Sequence, residues 1–135
     1  SEGKILSIDI KKMDELKNVS FLQCDFLQES TKEKILYFFG EKLDVVLSDM
    51  AADTTGNKSL DCIRTNKLCA EVVEFSSKIL KPNGVLVSEL FMGDDFLEVK
   101  ELAKSRFKKV DFFKPEASRS ESKETYIHCA LLKTL

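Results

Sequence analysis

The chain has 135 residues, 43% of them hydrophobic and 33% charged, with a formal net charge of −2. That length fits one domain over residues 1–135 with its own core, and a balance this near neutral excludes bulk electrostatic attraction to nucleic acid. No apolar run reaches membrane-spanning length and "SEGKILSID" lacks the regions of a signal peptide, so an intracellular, cytoplasmic protein is expected.

Periodicity switches repeatedly between strand and helix along the chain. "KILSIDI" and "VSFLQCD" predict two strands. "STKEKILYFFG" predicts a helix with Ser30 or Thr31 as N-cap and Gly40 as its end. "LDVVLSD" is a third strand. Across residues 60–80, Leu68, Val72, Phe75, Ser76 and Ile79 recur at helical spacing, with Ser59 as the expected cap and "KPNG" as the stop. The run "GVLVSEL" is a fourth strand, "DDFLEVKELAKSRF" a helix, and "KVDFF" and "TYIHCALL" two strands joined by the polar loop "KPEASRSESKE". A loop of about ten residues suits an antiparallel pair. The order implies an α/β fold with a mostly parallel sheet and helices on both faces. Cys24, Cys62, Cys69 and Cys129 match no zinc spacing, and three of the four lie in apolar contexts that predict buried thiols.

Acidic residues close successive strands. Asp9 ends the first, Asp25 the second and Asp49 the third. In open α/β sheets ligands gather at carboxyl ends of strands, where a carboxylate accepts from ribose hydroxyls or from an adenine amine. The repetition predicts a nucleotide or nucleoside ligand. Within "GVLVSELFMGDD", Glu89 is a carboxylate among apolar residues near the end of the fourth strand, either turning to solvent or serving a site. Residues 104–123 carry seven basic side chains against three acidic ones, a surface for a polyanion or simply a solvated face.

The stretches "LSDMAADTTG", "LKPNGVLVSELFMG" and "FFKPEASRSESKETYI" resemble the FtsJ/RrmJ family of ribosomal RNA methyltransferases, and the likeness runs from "GKILSIDIKKMDELKNVSFLQCDF" to the last strand. The resemblance implies a Rossmann-like S-adenosylmethionine-dependent methyltransferase fold, mostly parallel with a terminal antiparallel strand. It also implies methylation of a ribose 2′-hydroxyl, that of a uridine, in large-subunit ribosomal RNA, with S-adenosylmethionine as cofactor. Asp9 and Asp25 would then contact the cofactor's ribose and adenine. Asp49 would sit beside the transferred methyl group, with Met50 and Ala51 following it around the pocket.

The family's active site is a lysine-aspartate-lysine-glutamate tetrad, of which Asp49 and Glu124 match here. Glu89 stands where the second lysine is expected, so the implied catalytic set is Asp49, Glu89 and Glu124. Glutamate is a weaker and shorter base than lysine. Three acids without a cation predict that one binds a proton or recruits a counter-ion, and no metal site is expected. Arg119, Lys123 and Tyr126 are the candidates for contacting the RNA. Tyr126 shares a strand face with Glu124 by alternation, although a core tyrosine fits equally. His128, inside an apolar strand, reads as a packed structural histidine.

In dinucleotide folds the acidic ribose ligand lies about 20 residues after a glycine-rich turn, whereas Asp9 follows only eight residues. The expectation is that the glycine loop, first strand and first helix are missing. The sheet would then fall into two parts with open edges, inviting a strand-exchanged homodimer. Two rival functions stand beside methyl transfer. One is an inactive relative holding RNA through Lys104, Arg106, Lys108, Lys109, Lys114, Arg119 and Lys123. The other is a Rossmann oxidoreductase, which would take a dinucleotide instead.

Overall fold

The computed structural model describes residues 3–49, 56–93, 95–114 and 124–133, with Lys58 and Ser59 by backbone only. The elements in chain order are β1 (Leu6–Asp9), β2 (Ser20–Gln23), α1 (Glu29–Phe39), β3 (Leu43–Ser48), α2 (Lys58–Ile79), β4 (Leu80–Phe91), α3 (Phe96–Arg106), β5 (Phe107–Phe113) and β6 (Glu124–Leu132). They divide into two compact units, Ser1–Glu41 and Lys42–Leu135. Among the described residues the strands form two sheets, one in each unit.

In the first unit β1 and β2 pair in parallel, from Leu6 opposite Ser20 to Asp9 opposite Gln23. Parallel pairing in this register brings the carboxyl ends of both strands side by side. Helix α1 starts earlier than its sequence suggests. Gln28 is the N-cap, without a side-chain capping bond, rather than Ser30 or Thr31. Thr31 is instead buried, its hydroxyl donating to the Asp25 carbonyl at 2.6 Å and its N–H to the Gln28 carbonyl at 3.1 Å. Those bonds pull the helix start back to Glu29. At the other end Gly40 adopts φ 68° and its N–H closes on the Leu36 carbonyl, the left-handed stop that a glycine supplies without a Cβ clash.

The second unit is a four-stranded sheet in the order β3-β4-β6-β5. Strands β3 and β4 are parallel, and β6 is antiparallel to both β4 and β5. Three strands therefore run one way and β6 alone runs back. Strand β4 corrects the reading of "KPNG" as a simple stop: it begins at Leu80, directly after α2. Leu43 faces Leu80 while Val45 already faces Val85, so residues 81–84 bulge out of the ladder. Only glycine fits at position 84. A Cβ there would lie 2.9 Å from Leu80 Cδ2, 3.0 Å from the Lys81 carbonyl oxygen and 3.1 Å from that of Asp44. Helix α2 is capped by Asn57, not Ser59, with the Asn57 side chain accepting the Leu60 N–H at 3.1 Å.

The core lies between the two helices and one sheet face. Leu86, Ser88 and Leu90 on β4 stand opposite Cys129, Ile127 and Thr125 on β6, and all six are buried. Against them α2 packs Cys69, Val72, Val73, Phe75 and Ile79, and α3 packs Val99 and Ala103. Ring contact between Phe96 of α3 and Phe112 of β5, at 4.7 Å, closes the edge. In this unit both α2 and α3 lie on that one face. On the other face Val45 and Leu47 of β3 are exposed, Leu47 at 74%.

Candidate active site

Strand register assembles a row of side chains across the second sheet. Phe113 of β5 faces Tyr126 of β6, and Tyr126 faces Glu89 of β4. Ser88 faces Ser48, so Asp49, one residue past β3, continues the row beside Glu89. Glu124, two residues before Tyr126 and opposite Phe91, shares their face. Parallel β3 and β4 thus deliver two carboxyls at neighbouring carboxyl ends, and the reversed β6 brings its first residues to the same end. Of the residues singled out in the sequence, the structure brings together Asp49, Glu89, Glu124 and Tyr126.

The electrostatics of the row follow from that packing. Glu89 is 7% exposed. Its carboxyl is pushed up from 4.5 to about 8, first by burial, then by a hydrogen bond to Asp49 and by the negative charges of Asp49 and Glu124. Two carboxyls joined by a hydrogen bond need one proton between them, and at neutral pH it resides on Glu89. The apolar-flanked carboxylate is therefore neither solvent-facing nor an exposed anion; it is a neutral acid donating to Asp49. The Tyr126 hydroxyl is raised as well, by burial first, then by Asp49, Glu89 and Glu124 and by its hydrogen bond to Glu124. Among the described residues no group of three or more His, Cys, Asp or Glu side chains converges as metal ligands.

The residue that fixes the end of β4 escaped the sequence reading. Asn66 of α2 is completely buried, accepts the Phe91 N–H at 2.8 Å, and donates to the Phe91 carbonyl at 2.9 Å and to Asp95 Oδ1 at 2.8 Å. Its amide grips both backbone groups of the residue two past Glu89 and ties them to the start of α3. The available signal was its position: Cys62, Asn66, Cys69 and Val73 form a stripe on the buried side of α2, where an amide must find partners.

The acids of the first unit are held differently. Asp9 Oδ1 accepts the Lys11 N–H at 3.1 Å and Asp25 Oδ1 accepts the Leu27 N–H at 3.0 Å, each bending the chain just past its strand. Both residues are exposed and both sit at carboxyl ends of paired parallel strands. A carboxylate has a second oxygen able to accept from a ligand.

Met50, Ala51, Arg119 and Lys123 lie outside the described residues. The rest of the basic run does not form one patch. Arg106 is paired with Glu74 at 3.0 Å, the Lys114 ammonium donates to the Glu124 carbonyl at 3.1 Å, and alternation puts Lys108 and Lys109 on opposite faces of β5. Three of the four cysteines are buried free thiols, the number expected: Cys62, Cys69 and Cys129, with Cys24 half-buried. Burial pushes the Cys69 thiol up to about 11 and that of Cys129 to about 12, which leaves both unreactive.

Comparison with known proteins gives this geometry a family. The sequence profile of FtsJ-like methyltransferases matches residues 1–131. The chain belongs to the FtsJ-like methyltransferase family. Ribosomal RNA large subunit methyltransferase E of Pelagibacter ubique is 44% identical over 131 residues, covering 97% of this chain and 64% of that protein. The enzyme of the same name from Rickettsia akari is 45% identical over 125 residues, covering 93% and 55%. This FtsJ-like chain thus spans a little over half the length of these relatives. A crystal structure of a Plasmodium falciparum protein assigned as a ribosomal RNA methyltransferase superposes with a TM-score of 0.82 at 26% identity, over 96% of this chain and 72% of that one. Human methyltransferase-like protein 13, solved in complex with SAH, gives 0.62 at 17% identity over 95% and 61%, a likeness of fold alone.

Proposed function

We propose that this FtsJ-like chain works in S-adenosylmethionine-dependent methylation of a ribose 2′-hydroxyl, that of a uridine, in the RNA of the large ribosomal subunit, in the cytoplasm. The observation that carries the reading is the row of Asp49, Glu89, Glu124 and Tyr126 at one end of a sheet whose sequence matches the family over residues 1–131. That match spans both compact units, which supports treating residues 1–135 as one domain.

The donor set fits the cofactor. Asp9 and Asp25, anchored by their turns, hold the ribose hydroxyls and the adenine amine through their second oxygens. By the family resemblance, Asp49 and Met50 are the residues that would serve its methionine portion. When bound, S-adenosylmethionine supplies an electrophilic sulfonium methyl group. Arg119 and Lys123 hold phosphates of the RNA, and Tyr126 positions the target ribose. The remaining need is a base for the 2′-hydroxyl proton, and Glu89 is the group at that place. Its proton must first leave. Below about pH 8 Glu89 is neutral and bonded to Asp49; above it, the carboxylate accepts the hydroxyl proton.

A second reading, an RNA-binding relative without transfer, is favoured by the same neutral acid. Tritium transfer from labelled cofactor to undermethylated large subunits decides between them. For the catalytic reading we expect the rate to rise about tenfold per pH unit from pH 6 and to level near pH 8, with Glu89→Gln about 100-fold slower and flat. RNA binding without transfer at any pH would establish the second reading, and the absence of both would sink the proposal. We also propose that β3, a sheet edge carrying exposed Val45 and Leu47, pairs with a second copy of the chain by strand exchange. A monomeric mass by light scattering at high concentration would refute that.

A further inference from the structure

The row that holds the acids ends in an aromatic ring the methyl-transfer reading leaves unused. Phe113, the last residue of β5, is 46% exposed. Its ring stacks on that of Tyr126 with 5.7 Å between centroids and 18° between planes. The pair is fixed from behind. Tyr126 is held through its hydroxyl by Glu124, and the Phe113 carbonyl accepts the hydroxyl of buried Thr125 at 2.9 Å. At about 4.8 Å per strand spacing, Phe113 stands three spacings, about 14 Å, along the row from the Asp49 position and two, about 10 Å, from Glu89.

A rigid, half-exposed ring in line with a site for ribose has the chemistry of a base-stacking surface. Unpaired bases of RNA stack on aromatic side chains irrespective of their identity, because every base offers a π-face. Lys109 is exposed on the same face of β5, two alternations before Phe113, and Asp111 between them stands opposite His128. We propose that Phe113, backed by Tyr126, is a stacking platform for an unpaired nucleobase next to the target nucleotide, with Lys109 on an adjoining phosphate. This deepens the RNA-methylation reading and rests on it.

The test uses the whole chain and a short single-stranded RNA carrying 2-aminopurine at each position in turn, read by fluorescence quenching and by affinity. The parent should quench the probe at one position beside the target uridine. Phe113→Ala and Phe113→Leu should both abolish that quenching and weaken binding at least about fivefold, while Phe113→Trp keeps both. Lys109→Ala should weaken binding and steepen none of the quenching loss. Leucine retains apolar bulk without a π-face, so a Phe113→Leu variant that behaves like the parent would mean the ring is an apolar contact for something else, and the platform is wrong. RNA binding by the parent without quenching at any position overturns it too. Failure of the parent to bind RNA at all removes the methylation reading together with the platform. Circular dichroism confirms that each variant is folded, and the leucine and tryptophan forms carry the comparison should alanine unfold the strand end.

Discussion

Asp9 and Asp25 in the first unit and Asp49 and Glu89 in the second all close or nearly close parallel strands, yet the two pairs live under different physics. The first pair is exposed, and each acid is engaged by a backbone N–H two residues further on. Nothing distant is needed to hold them. The second pair meets across strands, and the protonation of Glu89 depends on Asp49, on Glu124 arriving from β6, and on burial. A locally held acid is positioned by its own turn, whereas an acid held by long-range packing takes whatever charge its neighbours allow. The strand end beneath Glu89 must therefore be rigid, and the structure makes it so through Asn66.

The comparison breaks most visibly at Asn66. Replacing it with alanine orphans the Phe91 N–H and carbonyl at the end of β4 and one oxygen of Asp95 at the start of α3. Buried groups left without partners cost about 1–3 kcal/mol each, partly offset where water enters, so Asn66→Ala should lose about 3 kcal/mol in urea unfolding. Asn66→Asp should be nearly as damaging, because the donor to Phe91 and Asp95 is replaced by a second acid. A loss below about 0.5 kcal/mol for alanine would show that the strand end is held by something else.

Glu89 gives the next largest effect, and its sign separates the two acid pairs. In the unfolded chain its carboxyl titrates near its ordinary 4.5, while the fold raises it to about 8. Between these values the folded state binds the extra proton, so the contribution to stability is fully present below pH 4.5 and is lost as pH rises through about 8. Solvent screening at the strand end reduces the effect to the order of 1–2 kcal/mol. Glu89→Gln keeps a donor toward Asp49 and removes the titration. Relative to this variant, the parent should lose stability steadily between pH 4.5 and 8 in paired unfolding curves. Parallel curves would mean that Glu89 is already ionised in the fold.

Much of the architecture was legible because it rests on local signals. Apolar runs located the six strands found among the described residues, Gly40 ended α1, and apolar contexts foretold that three of the four cysteines are buried. The errors fall where a distant partner decides. Ser30, Thr31 and Ser59 all have the chemistry of an N-cap, but Thr31 is drawn to the Asp25 carbonyl and Asn57 captures the Leu60 N–H first. "KPNG" has the composition of a turn, and only its pairing with β3 turns it into a bulge within a longer strand. At the site, sequence could name Asp49, Glu89 and Glu124 through resemblance. It could not rank their charges, because that ranking comes from which carboxyl is buried and which neighbour points at it.

The smallest effect on the fold is expected at Asp9 and Asp25, and there the comparison is sharpened. Asparagine at either position retains a side-chain oxygen able to accept the Lys11 or Leu27 N–H, so the bend after each strand survives. Asp9→Asn and Asp25→Asn should therefore shift unfolding free energy by no more than about 0.5 kcal/mol, the usual range for exposed sites. The second oxygen is another matter. In the proposed site it accepts from a ribose hydroxyl at Asp9 and from the adenine amine at Asp25, and a charged acceptor makes a stronger bond than a neutral amide. Losing it should weaken binding of S-adenosylhomocysteine by about 1–2 kcal/mol, roughly five- to thirtyfold, when measured by calorimetry on folded protein. At Asp25, an amide that turns its NH2 outward would also set donor against donor at the adenine amine. Equal affinity in the parent and both asparagine variants, with binding detected in all three, would remove these acids from the cofactor site. Unfolding by more than about 1 kcal/mol would show instead that they belong to the packing of their unit, as Glu89 belongs to its own.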